Sequence, residues 1–198
     1  MKKNWGKFMI FTLVVGLIVG YVSTVSDNLP YLGDGVTFTE FIISYVAVMV
    51  NSLPVWFMLA MLAGYLFAGN KKEAALFGGI YTIAAITFYF LLGNLNGETA
   101  VEIPLKEQLG VFAFWYGASA VGGILGGGAG FLLKKTPMIL LALLAGLILQ
   151  LIVNGTNSWN DIVGIAQNIT FSLLALSIII YLAMKQRDGS RASFSERG

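Results

Sequence analysis

Ionisable side chains divide this chain into long charge-free windows at residues 8–26, 41–70, 74–97, 108–133, 136–160 and 162–184. A charged side chain at the centre of a bilayer costs about 2.5–3.5 kcal/mol on insertion scales, so gaps of this length mark membrane crossings. About 20 apolar residues suffice for one crossing, because ~30 Å of hydrocarbon is covered at ~1.5 Å per residue. Each window is long enough to cross once. The pattern predicts an all-α polytopic membrane protein with six transmembrane helices, at about 8–25, 54–70, 74–93, 109–133, 137–153 and 162–184.

The second window is irregular. Residues 38–50 form a short apolar stretch containing Glu40, Ser44 and Tyr45, followed by Asn51-Ser-Leu-Pro54 and then the uninterrupted run 55–69. Proline removes a backbone donor and disfavours helix at the residue before it. A stretch of roughly 10–14 apolar residues more often re-enters or lies in the interface than spans. A second element broken near Pro54 is therefore expected, with an outer segment to about residue 52 and the spanning helix after it.

Charge placement orients the helices, since Lys and Arg are retained on the cytoplasmic side. With both termini cytoplasmic, the inner segments carry Lys2, Lys3, Lys7, Lys71, Lys72, Lys134, Lys135, Lys185, Arg187, Arg191 and Arg197, which is every cation except Lys106. Asp27, Asp34, Glu40, Glu98, Glu102, Glu107 and Asp161 fall outside. Residues 1–184 thus read as a single six-helix domain and 185–198 as a polar, disordered cytoplasmic tail. The first segment has the charged start and apolar run of a signal peptide. No small-x-small cleavage pattern follows Gly20, so it is expected to remain as the first helix.

Composition sharpens the picture by exclusion. Hydrophobic residues make up 57% and charged residues 11% of the chain, against roughly 45–50% and about 25% in soluble domains. The net charge of +2 is too small to suggest a nucleic-acid partner. Neither Cys nor His occurs, which removes thiol nucleophiles, disulfides and the zinc or haem sites built on those residues. Carboxylates lie at window boundaries or in loops, so neither an enzyme nor a carboxylate-based proton pump is expected. No cofactor or metal is implied.

Helix packing has a clear signature. Ala118, Gly122, Gly126 and Gly130 recur every four residues on the predicted fourth span, and Ala60, Gly64 and Ala68 do so on the second. Lipid supplies no hydrophobic drive between helices, and small residues allow the close backbone approach that replaces it. Neutral polar and aromatic groups gather towards the predicted outer ends: Asn51, Trp56, Trp115, Gln150 and Gln167 are the candidate solute contacts, supported by Asn154 and Asn168. They offer amide hydrogen bonds and ring faces to a small molecule. The same residue types also serve as interfacial belts and interhelical links.

The opening Asn51-Ser-x-x-x-Trp56, the basic turn at Lys71-Lys72, and Phe114-Trp115 leading into a glycine-rich span resemble a family of bacterial multi-pass membrane proteins classed as a domain of unknown function. The likeness covers roughly residues 48–135 and implies a bacterial plasma (inner) membrane location without an activity. Size and layout are also similar to the substrate-binding subunits of energy-coupling-factor transporters, a likeness of fold alone. These readings lead to a small-molecule binding or transport component open to the outer side, its ligand unspecified. The competing expectation is a non-transporting partner, whether immunity, assembly or regulatory subunit. It would dock on another membrane protein or a second copy through the glycine-rich fourth helix.

Overall fold

The computed structural model describes residues 2–29, 36–95 and 105–195. Its helices are α1 (Lys2–Asp27), α2 (Phe38–Val50), α3 (Leu53–Phe67), α4 (Lys71–Leu95), α5 (Leu105–Leu133), α6 (Leu140–Asn154) and α7 (Ile162–Ser195), with short 3-10 turns at Pro137–Ile139 and Asn157–Trp159. No strand occurs among the described residues. Five helices are long and apolar enough to cross a membrane, and α2 with α3, bent by 61° at their break, makes a sixth when the pair is taken as one. The turn-rich segment around Pro30, Gly33, Asp34 and Gly35 and the acidic loop with Glu98, Glu102 and Pro104 lie outside the described residues.

Local chemistry explains where the helices start and stop. At the head of α2 the Thr37 hydroxyl accepts the Glu40 amide at 3.3 Å while the Glu40 carboxylate accepts the Thr37 amide at 2.9 Å, a reciprocal cap. At the break, the Ser52 hydroxyl donates to the Met49 carbonyl at 2.6 Å, an alternative to continued helix, and Pro54 falls in the first turn of α3. The end of α3 is closed by its neighbours: Asn4 Nδ2 donates to Phe67 O at 3.1 Å and Lys134 Nζ to Ala68 O at 3.0 Å. At the head of α4, Asn70 Oδ1 accepts the Glu73 amide at 2.9 Å and Glu73 accepts the Gly69 amide at 2.6 Å. Gly155 ends α6 at φ +64, in the left-handed region that favours glycine. Asp161 then caps α7 by accepting the Val163 and Gly164 amides at 3.3 and 2.8 Å.

Three boundaries differ from the sequence expectation. Helix α5 begins at Leu105 rather than near 109, because Lys106, Glu107 and Gln108 are good helix formers whatever their cost in lipid. Pro137 opens a 3-10 turn, and α6 itself starts at Leu140. The segment from Lys185, expected as a disordered tail, continues α7 to Ser195. Lys, Gln, Arg and Ala favour helix, and one glycine costs only about 1 kcal/mol.

Packing centres on α4, which has α1, α3 and α5 around it. Phe8 stacks on Phe77 with ring centroids 4.2 Å apart, and Gly16 lies on Ala85 and Phe88, so α1 and α4 run parallel. Helix α5 runs antiparallel to α4: Gly127 meets Ala74, Gly123 meets Gly78, and Thr87 meets the Tyr116 hydroxyl at 3.0 Å. One end of the bundle therefore carries Lys7, Lys71, Lys72, Lys134 and Lys135, and the opposite end carries Asp27 and Asn51.

The tightest point is a glycine junction. A Cβ added to Gly64 of α3 would fall on the Gly127 carbonyl, one on Gly78 of α4 on the Gly123 carbonyl, and one on Gly127 of α5 on the Ala74 carbonyl. Three backbones thus touch around Gly127. The predicted stripe on α5 is only half right. Gly126 and Gly130 do pack against Phe57, Ala60 and Met61 of α3, but a Cβ on Gly122 would meet nothing within 4 Å, and Ala118 is exposed. The reason is that α5 serves two neighbours at once, so contact alternates between Gly123/Gly127 towards α4 and Gly126/Gly130 towards α3. Gly126 and Gly130 are consequently occupied inside the chain by α3, while Ala118 and Gly122 of the same stripe stay open.

Gly127→Val is expected to destabilise by at least the upper end of about 1–3 kcal/mol, the usual cost of overpacking, because backbone rather than side chain obstructs the new methyls. Gly122→Val should leave stability within about 0.5 kcal/mol of the parent. Thermal unfolding of the detergent-solubilised variants checks both.

Candidate functional site

The five candidate solute contacts do not converge. Asn51, at the α2–α3 break, donates from Nδ2 to Asp27 Oδ1 at 2.9 Å. Trp56 is half-buried against the core shared by α1, α3 and α4. Trp115 stands on the surface of α5, 44% exposed, edge-on to Phe114 at 5.4 Å. Gln150 and Gln167 do meet, through Asn154. The topology read from charge places all five towards one end of the helices but does not assign them to faces.

The α6–α7 amides form a continuous network. Gln150 Nε2 donates to Asn154 Oδ1 at 2.7 Å, and Asn154 Nδ2 donates to Gln167 Oε1 at 3.2 Å and Asn168 Oδ1 at 2.8 Å. Asn168, fully buried, donates to Ser158 Oγ at 2.7 Å, and Gln167 Nε2 reaches the Val48 carbonyl of α2 at 3.2 Å. Tyr45 and Thr170 add a hydroxyl pair at 2.7 Å between α2 and α7. Nearly every donor and acceptor is used internally. The network holds the hairpin together and leaves little to offer a solute; only Gln150 Oε1 is buried without a partner.

A second polar constellation lies between α1, α3 and α4. Asp27 accepts from Asn51 through Oδ1 and from the Tyr89 hydroxyl through Oδ2 at 2.5 Å, which joins α1, the α2–α3 break and α4 at one carboxylate. Beside it a pocket of about 110 Å³ is lined by Thr24, Asp27, Asn28, Tyr89, Gly93 and Asn94, with Phe90. Thr24 Oγ1 donates to Gly20 O at 3.0 Å, holding the wall of this pocket to its own helix.

Ser23 Oγ beside this pocket and, deeper in the bundle, Thr12 Oγ1, Tyr81 Oη and Trp56 Nε1 are buried without a hydrogen-bond partner. The register that stacks Phe8 on Phe77 and Gly16 on Ala85 sets Thr12 level with Tyr81, and the Phe11 ring lies 5.5 Å from that of Tyr81. Trp56 precedes Phe57, which touches Gly126, and this places it within about one helical turn of the same depth. A buried polar atom left unpaired costs about 1–3 kcal/mol. Two of these hydroxyls, on Thr12 and Tyr81, and the Trp56 indole therefore lie at a similar depth where the bundle is otherwise apolar, while Ser23 lies roughly 16 Å away along α1 at ~1.5 Å per residue.

Sequence reasoning missed Thr12, Ser23, Tyr81 and Asp27. Each sits alone in an apolar run or at a window edge, and only the α1–α4 register brings them to one seam. No family model, no curated protein and no solved structure matches the chain.

Asn154→Leu strands acceptors on Gln167 and Asn168 and should cost about 1–3 kcal/mol, the usual penalty for a buried unpaired group. Trp115→Ala, at an exposed position, should stay within about 0.5 kcal/mol. Equilibrium unfolding in mixed micelles distinguishes the two.

Proposed function

We propose that this chain is a six-span protein of the bacterial plasma membrane that binds a small polar solute from the side opposite its lysine end, as part of a transport or uptake process. The α2–α3 pair counts as one broken span, and both termini face the cytoplasm. The charge placement supports this orientation, since Lys7, Lys71, Lys72, Lys134 and Lys135 share one end and retention of cations on the cytoplasmic side is the general rule. The bacterial location rests on the resemblance carried by Asn51-Ser-x-x-x-Trp56 and Phe114-Trp115.

The observation that carries the binding reading is the pocket at Asp27, lined by Thr24, Asn28, Tyr89 and Asn94, with the carboxylate also held by Asn51. On this reading the site lies between α1 and α4 at the end opposite the lysines, with Asn51 kept from the sequence-based set; Trp56, Trp115, Gln150 and Gln167 are not part of it. A small ligand carrying hydroxyl or amide groups suits this lining: its donors reach the Asp27 carboxylate, and the Asn28 and Asn94 amides can donate to its acceptors.

Orientation is directly testable because the chain contains no Cys, so single-cysteine variants need no prior removal of native thiols. Lys72→Cys and Lys135→Cys should be shielded from an impermeant maleimide in intact cells, whereas Asn28→Cys and Asn160→Cys should react. Labelling of Lys72→Cys and Lys135→Cys from opposite faces would refute the topology.

Binding is tested by thermal-shift screening of the purified protein with small polar metabolites. A ligand at one hundred times its Kd stabilises by about 2.7 kcal/mol. Asn94→Leu, at an exposed position lining the pocket, should leave the ligand-free protein within about 0.5 kcal/mol of the parent, yet abolish the ligand-induced shift. Asp27→Asn should weaken it. Absence of any stabilising compound, or a shift indifferent to both substitutions, would remove the reading.

A further inference from the structure

The lysine end carries a second cavity, different in kind from the Asp27 pocket. A groove of about 220 Å³ opens between α3, α6 and α7, lined by Met58 of α3, by Leu140, Leu143 and Leu147 of α6, and by Leu174, Ser177, Ile178 and Tyr181 of α7. Its only aliphatic hydroxyl, Ser177 Oγ, is already spent on the Leu173 carbonyl at 2.7 Å. The groove therefore makes no polar demand on an occupant. It runs along α6 from Leu147, in the middle of the helix, to Leu140 at its lysine end, about 10 Å at ~1.5 Å per residue. That is the inner part of one leaflet.

The rim at that end is cationic. On α7, Leu174, Ile178, Tyr181 and Lys185 follow one another at helical spacings, so Lys185 continues the groove-lining face one turn beyond Tyr181. Lys135 lies off this rim, its ammonium 5.5 Å from the centroid of Phe131, a ring that packs on the core of α1, α3 and α4. Lys134 is committed to the Ala68 carbonyl, and Lys185 is exposed. A dry, leaflet-deep slot ending in an exposed ammonium group has the form of an acyl chain below a negatively charged headgroup.

We infer that the groove between α3, α6 and α7 is a specific site for an anionic phospholipid of the leaflet at the lysine end, its acyl chain along Leu140, Leu143 and Leu147 and its phosphate at Lys185. Basic pockets between transmembrane helices recognise acidic headgroups in this way, and the buried chain adds apolar contact that a free phosphate lacks. The proposal does not depend on the solute site, from which the groove is separate in both residues and helices.

Native mass spectrometry of the delipidated, intact protein tests it, with phosphatidylglycerol and phosphatidylcholine of matched chains as probes. Phosphatidylglycerol is expected to be retained as a single adduct at least tenfold more tightly than phosphatidylcholine. Lys185→Gln should bring the two lipids to equal, weak retention, whereas Lys135→Gln should leave the preference unchanged. Ser177→Trp fills the groove from an exposed position, which spares the core, and should eliminate the adduct while inorganic phosphate remains without effect throughout. Equal retention of both lipids by the parent protein overturns the proposal. So does an adduct unchanged by Ser177→Trp, or a co-purified polypeptide occupying the groove in place of lipid.

Discussion

The fold depends on how closely three backbones can approach at Gly127. In a bilayer, burying apolar side chains against one another gains little, because lipid tails are equally apolar. Dispersion contact and backbone dipoles then decide which helices associate. At Gly64, Gly78 and Gly127 there is no room for a Cβ, so the carbonyls of Gly127, Gly123 and Ala74 lie against the facing helices. The large buried residues on the remaining side of α4, Phe77 and Tyr81, meet Phe8 and Phe11 of α1, where ring contact replaces backbone contact. The core of the protein is thus α1, α3, α4 and α5. Helices α6 and α7 attach to it through Met61 and Phe57 on one side and α2 on the other.

Much of this was legible in the order of the residues, for a physical reason. The cost of a charge in hydrocarbon is large and local, so gaps between charges located the helices, and Pro54 with Ser52 located the break. The small-residue pattern revealed that α5 packs closely. It did not reveal that one helix serves two partners, since a four-residue period describes a single face and Gly123 and Gly127 lie off it. The ends of α5 and α7 were misread because absence of lipid compatibility at Lys106 and Lys185 was taken to end the helix, whereas those residues favour helix in water as well.

The candidate site was less legible. Gln150, Asn154, Gln167 and Asn168 advertise polarity, and the structure shows them consuming one another's hydrogen bonds. Thr12, Ser23 and Tyr81 look unremarkable in apolar runs, because a single hydroxyl in a helix usually bonds its own backbone, as Thr24 and Thr170 do here. Only after the register between α1 and α4 is known do their unpaired atoms fall along one seam. Conspicuous polar residues thus turned out to be fasteners, and inconspicuous ones to be unsatisfied.

The break between α2 and α3 has an electrostatic effect on its surroundings. Ser52 turns its hydroxyl back to Met49, and α3 begins without any side chain covering its first turn. The partial positive charge of that helix end is left beside Asn51, which holds the carboxylate of Asp27. The kink therefore acts as a built-in counter-charge. It sets a fixed partial positive charge where a membrane helix meets its loop, and any cation approaching that carboxylate competes with a dipole that cannot diffuse away.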